Sequence, residues 1–494
     1  MKIPSLPSLL LASFTGKLIY ALASIVSLPL AARTLGAEAV GLVGFFTTLL
    51  MVLMVLEGGL TSSVIQRLAR LRVTANTGRA QRSSAALINT FLLVFVGVGL
   101  AITVILYLVS PLLVSHWLRL DMIANDDAVY CLRCMAMFIG LNLPVMLLQG
   151  VFVGNQLQGP LNKLYIPYSL MRTLGVLLLV GAGVSGGGVK SYFTLQVVVQ
   201  AVYVVSLLVE LYRQGGLAGG RLHSKYIKNG VVFSRGVFFI SLTSIVTVQY
   251  DKVFMSGALG LSEYAYYSLA SAIAGFPYIF SSAFNAVLFP RFSGDFRGGK
   301  VESIEKIFRA GLVLFALVMT IVCSAVYWFA SPLLNMLFSD FLAAGISRVL
   351  PWLLIGTALQ SLLIIPFALQ MAAGWTSLSF RLNLAAIPVM LISLPYLVKT
   401  FGAVGGGYGW LLYNLFSLVL TTYFTSRRYP WLLPAYRVCL TAILVVGLIA
   451  NCLFLICSHW AESTPATLAS GSIASGLLAA LGAYIFRRHL AGLR

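Results

Sequence analysis

Long apolar runs, each near bilayer-crossing length and separated by short segments carrying arginine, lysine, glycine or proline, constrain this chain more than any other feature. Crossing the hydrocarbon core takes about 20 residues of α-helix. Backbone in lipid must satisfy its own hydrogen bonds, which a helix does within one segment. The runs place fourteen helices at 8–32, 40–64, 84–110, 128–152, 164–183, 191–212, 230–254, 264–289, 308–330, 346–371, 381–399, 406–425, 437–458 and 467–486. Composition agrees: 60% of the residues are hydrophobic, only 9% are charged, and the mean hydropathy is +0.96. A soluble domain carries about 25% charged residues, so too little polar surface is left here to face water. The expected fold class is an all-α polytopic membrane protein. The first apolar stretch contains Lys17 and exceeds the usual signal-peptide core of about 7–15 residues, so it reads as a retained first span.

The net charge of +20 would suggest nucleic acid in a soluble protein. In a membrane protein it has a simpler origin, because Lys and Arg concentrate in cytoplasmic loops. With the N-terminus inside, twenty-two of the 33 basic residues fall in inner segments and six in outer ones. That asymmetry predicts cytoplasmic termini and excludes nucleic acid as a partner. Cys131 and Cys134 lie three residues apart with no second pair to complete a zinc set, and they read as small packing residues. No metal site or cofactor is expected. Neither glycine triplet fits a phosphate-binding loop, and both Gly186–Gly188 and Gly405–Gly407 read as flexible turns.

An internal repeat organises the chain. Residues 33–70 (RTLGAEAVGLVGFFTTLL…SSVIQRLAR) align with 257–294 (GALGLSEYAYYSLASAI…AVLFPRFSG), pairing Leu35-Gly36 with Leu259-Gly260 and Arg67 with Arg291. GVSGGGVKSY aligns with GAVGGGYGWL at a nearly equal offset. Six helices lie within the offset, an even number, so the halves should share one orientation about an axis along the membrane normal. The expected domains are an N-lobe at 1–229, a C-lobe at 230–436 and two added helices at 437–494.

These segments carry a family resemblance. ARTLGAEAVG after the first helix, SGALGLSEYAYYSLA after the seventh, VLFPRFS ending the eighth, the GNQLQGPLNK and AAGWTSLSFRLN turns and the FGAVGGGYGWLLYN entry to the twelfth resemble the multidrug/oligosaccharidyl-lipid/polysaccharide exporter superfamily. Within it the chain resembles the Wzx-type polysaccharide flippases. The resemblance implies two six-helix lobes in a V around a central cavity, lined largely by helices one, two, seven and eight. It implies no enzymatic activity. The expected substrate is a polyprenyl-diphosphate-linked oligosaccharide moved across the bacterial inner membrane for O-antigen, capsule or exopolysaccharide synthesis. Fourteen helices also match the lipid II flippases, although Lys17 stands alone where those proteins carry arginines.

Ionisable residues within the spans nominate the site, since each costs roughly 2.5–3.5 kcal/mol at bilayer depth even on the lenient scale. Lys17, Arg172, Arg235, Arg133 and Lys252 are the candidate cavity cations for a diphosphate or acidic sugar. Glu57 and Asp251 are candidate partners or ion-coupling carboxylates, for H+ or Na+. Lys17 and Glu57 sit at similar depth on helices one and two and read as a possible pair. Asp251 and Lys252 are adjacent, so one is expected at the cavity mouth and the other toward headgroups. Arg67 and Arg291 read as anchors or braces at the inner interface. The remaining partners are membrane lipids and a polymerase or chain-length regulator of the same pathway.

Other classes fit less well. A drug or cation exporter needs an acidic cavity, whereas basic residues dominate within these spans. A membrane polymerase or ligase usually carries a long extracytoplasmic catalytic loop, and the longest outer loop here is the short segment 111–127. A structural scaffold leaves the intramembrane charges without a purpose.

Overall fold

The computed structural model describes residues 23–24, 26–57, 59–73, 78–215, 226, 242–243 and 245–460. Lys17, Arg235 and the expected span at 467–486 lie outside the described residues. Among the described residues the protein is helical, with no β-strand beyond one isolated bridge between Arg119 and Gly260. Nine of the described helices are long and apolar enough to cross a membrane, and the protein is a multi-pass membrane protein.

The chain divides into two compact units, residues 1–245 with 260–262, and residues 246–259 with 263–494. The first unit holds α1 (26–35), α2 (Ala37–Leu53), α3 (Leu60–Val73), α4 (Gly78–His116), α5 (Asn125–Gly154), α6 (Gln158–Gly181) and α7 (Gly188–Arg213). In the second lie α8 (245–258), whose first residue still belongs to the first unit, α9 (Leu261–Gly275), whose first two residues do so as well, α10 (Tyr278–Arg297), α11 (Val301–Leu337), α12 (Asp340–Ala372), α13 (Thr376–Phe401), α14 (Ala403–Arg428) and α15 (Leu432–Trp460).

The spans that the apolar pattern implies as continuous at 40–64 and 264–289 are both broken. In the first unit, a tight turn at Met54–Glu57 and Gly59 at φ 74 separate α2 from α3. The Glu57 carboxylate accepts the Thr61 backbone N–H at 2.5 Å, occupying one of the orphan donors of the restarted helix. In the second unit the chain breaks at Phe276-Pro277, between α9 and α10. Proline has no N–H to offer the preceding turn. Prolines elsewhere sit inside α4 (Pro111), α5 (Pro144), α6 (Pro167), α11 (Pro332), α12 (Pro351) and α13 (Pro388, Pro395). Neighbouring helices make such residues tolerable in a membrane bundle.

Each unit has its own core. In the first, α5 is central and packs against α3, α4 and α7. Phe46 of α2 meets Phe138 of α5 and Phe193 of α7 edge-on, with centroids 5.1 and 5.7 Å apart. Cys131 and Cys134 are buried free thiols in this helix. The core of the second unit gathers Phe292, Phe308, Phe315 and Phe454 from α10, α11 and α15. There α15 is tied to α11 by polar bonds as well as packing. Trp328 donates its indole N–H to Asn451 Oδ1 at 2.8 Å, and Asn451 Nδ2 donates to Ser324 Oγ at 3.3 Å.

Candidate functional site

Two polar clusters lie within the helical bundles, one in each unit. The first is built from helical spacing. Gln196, Gln200 and Tyr203 follow one another at intervals of four and three residues on α7, and Tyr165, Tyr168 and Arg172 at three and four on α6. Asn142 and Gln149 are two turns apart on α5. Residues so spaced share one face of a helix, so three apolar helices each turn a polar stripe toward their neighbours.

The stripes interlock. Tyr168 donates its hydroxyl to Gln200 Oε1. Gln200 Nε2 donates to Asn142 Oδ1 at 3.1 Å, and Gln149 Nε2 donates to the Tyr203 hydroxyl at 3.1 Å. The rings of Tyr168 and Tyr203 stack with centroids 3.8 Å apart and planes 8° from parallel. Interhelical bonds of this kind in membrane bundles contribute about 0.6–2 kcal/mol each. The cluster is thus both a brace and a polar surface, since Asn142, Gln149, Tyr168 and Arg172 remain only half-buried. Charge within the spans does not mark these amides and tyrosines in the sequence. Their signal was present as polar residues at helical spacing in apolar runs.

Arg172 crowns this cluster past the midpoint of the 24-residue span Gln158–Gly181. Its guanidinium lies over the Phe138 ring, 4.7 Å from the centroid. Cations over aromatic faces gain about 0.5–2 kcal/mol depending on desolvation. Arg133, nominated alongside it, lies over Tyr107 of α4 at 4.5 Å, with its Nε buried and without a hydrogen-bond partner. The two arginines therefore face different neighbours. Arg67 reaches the Tyr226 carbonyl with one guanidinium nitrogen at 3.4 Å.

The second cluster centres on Asp251 of α8, whose side chain is only 1% exposed. A carboxylate this deep needs partners, because an unpaired buried charge costs several kcal/mol. Tyr267 of α9 donates its hydroxyl to Asp251 Oδ2 at 2.7 Å. Lys252 Nζ approaches the two carboxylate oxygens at 3.1 and 3.2 Å. The expectation that adjacent Asp251 and Lys252 would diverge is corrected: they pair with each other. The long lysine stem folds back along the helix, also donating to the Val248 carbonyl at 3.3 Å. The ammonium group lies 5.8 Å from the Trp410 ring centroid, and Trp410 donates its indole N–H to Thr357 at 3.3 Å.

One glycine triplet also departs from expectation. Gly186–Gly188 do form a turn, all at positive φ. Gly405–Gly407 instead lie inside α14 and form a packing surface. A Cβ on Gly406 would come within 2.5 Å of the Tyr267 ring, so this glycine leaves room for the tyrosine that holds Asp251.

Comparison with known proteins places the chain in a wider group. Residues 10–294 match the family described as polysaccharide biosynthesis protein. A putative O-antigen transporter from Shigella flexneri is 22% identical over 419 residues, covering 83% of this chain and 95% of the relative. Among solved structures, the inward-facing conformation of a multidrug resistance MATE family transporter of the MOP superfamily superposes with a TM-score of 0.71 at 14% identity, covering 83% of this chain and 94% of its own. The lipid II flippase MurJ in an inward closed conformation gives a TM-score of 0.70 at 14% identity, covering 98% and 99%. The fold is that of the multidrug/oligosaccharidyl-lipid/polysaccharide exporters.

Proposed function

The chain belongs to the polysaccharide biosynthesis protein family, and from that premise we propose that it flips a polyprenyl-diphosphate-linked oligosaccharide from the cytoplasmic to the periplasmic leaflet of the bacterial inner membrane. Both termini are cytoplasmic in this reading, as the excess of inner Lys and Arg requires. The two lobes alternate access, and the products feed O-antigen, capsule or exopolysaccharide synthesis with a polymerase or chain-length regulator downstream.

The observation that carries the reading is Arg172, a permanent cation held past the middle of a membrane span among amides and tyrosines. A diphosphate cannot leave water without charged hydrogen-bond donors. A guanidinium offers a bidentate fork suited to phosphate oxygens, while planar amides and hydroxyls suit the hydroxyl-rich saccharide. Lys17 and Arg235 are further candidate substrate cations in the proposal. Arg133, over Tyr107, and Lys252, paired with Asp251, are the remaining candidate cations. Asp251, bonded to Tyr267 and Lys252, is the candidate coupling group for H+ or Na+. Glu57 is the candidate partner of Lys17.

A drug or cation exporter is less well supported. Glu57 and Asp251 are each committed to donors within the protein, which leaves little negative charge for a cationic cargo. Lipid II remains a second reading, favoured by the near-complete coverage of the lipid II flippase fold.

The test is replacement of Arg172 by alanine in strains lacking either flippase, with mass spectrometry of the lipid-linked sugars that accumulate. The expected outcome is failure to restore O-antigen-type export at near-normal protein abundance, with Arg172→Lys recovering part of it. Full activity of Arg172→Ala, or inactivity explained by loss of the protein, would overturn the assignment. Complementation of the lipid II strain alone would move the substrate to peptidoglycan precursors.

A further inference from the structure

The span α6 is not α-helical throughout. At Met171–Gly175 it widens into a single π turn. The Val176 N–H bonds the Met171 carbonyl, five residues back. In an α-helix that N–H would take the Arg172 carbonyl, four residues back. The Arg172 carbonyl is therefore not the acceptor for Val176.

A donor for that carbonyl comes from another helix. Gln196 of α7 donates Nε2 to the Arg172 carbonyl at 3.0 Å. Gln196 is 2% exposed, and its Oε1 is buried with no hydrogen-bond partner. An apolar side chain would avoid that orphaned oxygen, so the useful end of this residue is the one aimed at Arg172. One further bond is made from within the wide turn: Thr173 donates its hydroxyl to the Ser169 carbonyl at 2.7 Å.

The extra residue has a geometric effect. It changes the phase of the helix by about 100° across the turn, one residue's share of a 3.6-residue repeat. Tyr168 and Arg172 stay on the polar face, while Val176, Leu177 and Val180 beyond the turn are all buried in the bundle. A continuous α-helix would need a different phase on one side or the other.

We propose that Gln196 is a positioning residue for substrate export: it stabilises the π turn and so aims the Arg172 guanidinium. The inference rests on the reading that Arg172 contacts the anionic headgroup. Gln196 itself, being buried, acts only through Arg172.

The experiment uses the full-length protein in cells. Gln196→Leu should lower export at least about tenfold with abundance unchanged, because misplacement by about an ångström is enough for such losses. A structural role alone could also lower activity, so a second measurement reads position directly. Arg172→Cys, with the six native cysteines replaced, is labelled by a cationic thiol reagent with and without Gln196→Leu. The expected result is a labelling rate lowered about fivefold or more by Gln196→Leu, as the turn closes to α and residue 172 rotates away. Normal export by Gln196→Leu would overturn the proposal. So would reduced export with an unchanged labelling rate. If Arg172→Ala exports normally, the headgroup reading fails, while the labelling comparison still decides whether Gln196 sets the orientation of residue 172.

Discussion

Two glycine triplets, aligned by the internal repeat, do different physical work in the two units. Gly186–Gly188 join α6 to α7 at φ 86, 73 and 76, and a Cβ on Gly186 or Gly188 would meet nothing within 4 Å. The requirement there is backbone conformation. Gly405–Gly407 lie in the first turns of α14, where added Cβ atoms would fall 2.2 Å from the Leu397 carbonyl oxygen, 2.5 Å from the Tyr267 ring and 2.9 Å from Trp352 Cβ. The requirement there is the missing side chain, which lets α13, α9 and α12 close on α14. One triplet steers the chain and the other admits neighbours, so the same substitution should hurt them unequally.

The largest effect is expected at Gly406. Gly406→Val forces a branched side chain against Tyr267 and Met255, and overpacking of this kind costs about 1–3 kcal/mol or more. Thermal unfolding in detergent should show a clear fall in Tm and reduced accumulation. A variant as stable as the parent would break the distinction between the triplets.

A smaller effect should follow from Tyr267→Phe, which keeps the ring beside Gly406 but removes the hydroxyl that donates to Asp251. Hydrogen bonds to charged groups contribute about 1.5–3 kcal/mol, and Lys252 remains to share the carboxylate. The expected result is a moderate fall in Tm, with export reduced more than stability alone explains if Asp251 couples an ion. Equal export per folded molecule would remove Asp251 from the coupling proposal.

The smallest effect belongs to Gly186→Ala. The turn has space for the methyl group, and the cost is only the left-handed backbone, about 1–2 kcal/mol. Gly186→Asn should cost less still, since asparagine tolerates that conformation. Should Gly186→Ala prove as damaging as Gly406→Val, conformation would matter in both triplets and the contrast would collapse.

The long spans were legible in the sequence because lipid imposes one solution on apolar backbone. The runs around 84–110 and 128–152 correspond to α4 and α5 with extended ends. Breaks were less legible. Gly59 and Pro277 sit inside runs whose hydropathy stays high, and hydropathy does not register a lost backbone bond. Arg172 was found because charge at depth is rare. Gln196 and Gln200 were not, because a neutral amide barely disturbs an apolar run and gains meaning only from what it faces.

By itself, then, the sequence determined the solvent of this protein, the bulk of its helices, its repeat and the expensive charge at Arg172. These are properties of single segments, set by transfer from water to lipid and by hydrogen bonds that close within one helix. Only the tertiary structure decided that Lys252 folds back onto Asp251, that Gly405–Gly407 pack rather than turn, and that the Arg172 carbonyl is satisfied from α7. Each depends on a partner distant in sequence or on a side-chain direction, and helical spacing shows which face a residue occupies without showing what lies opposite.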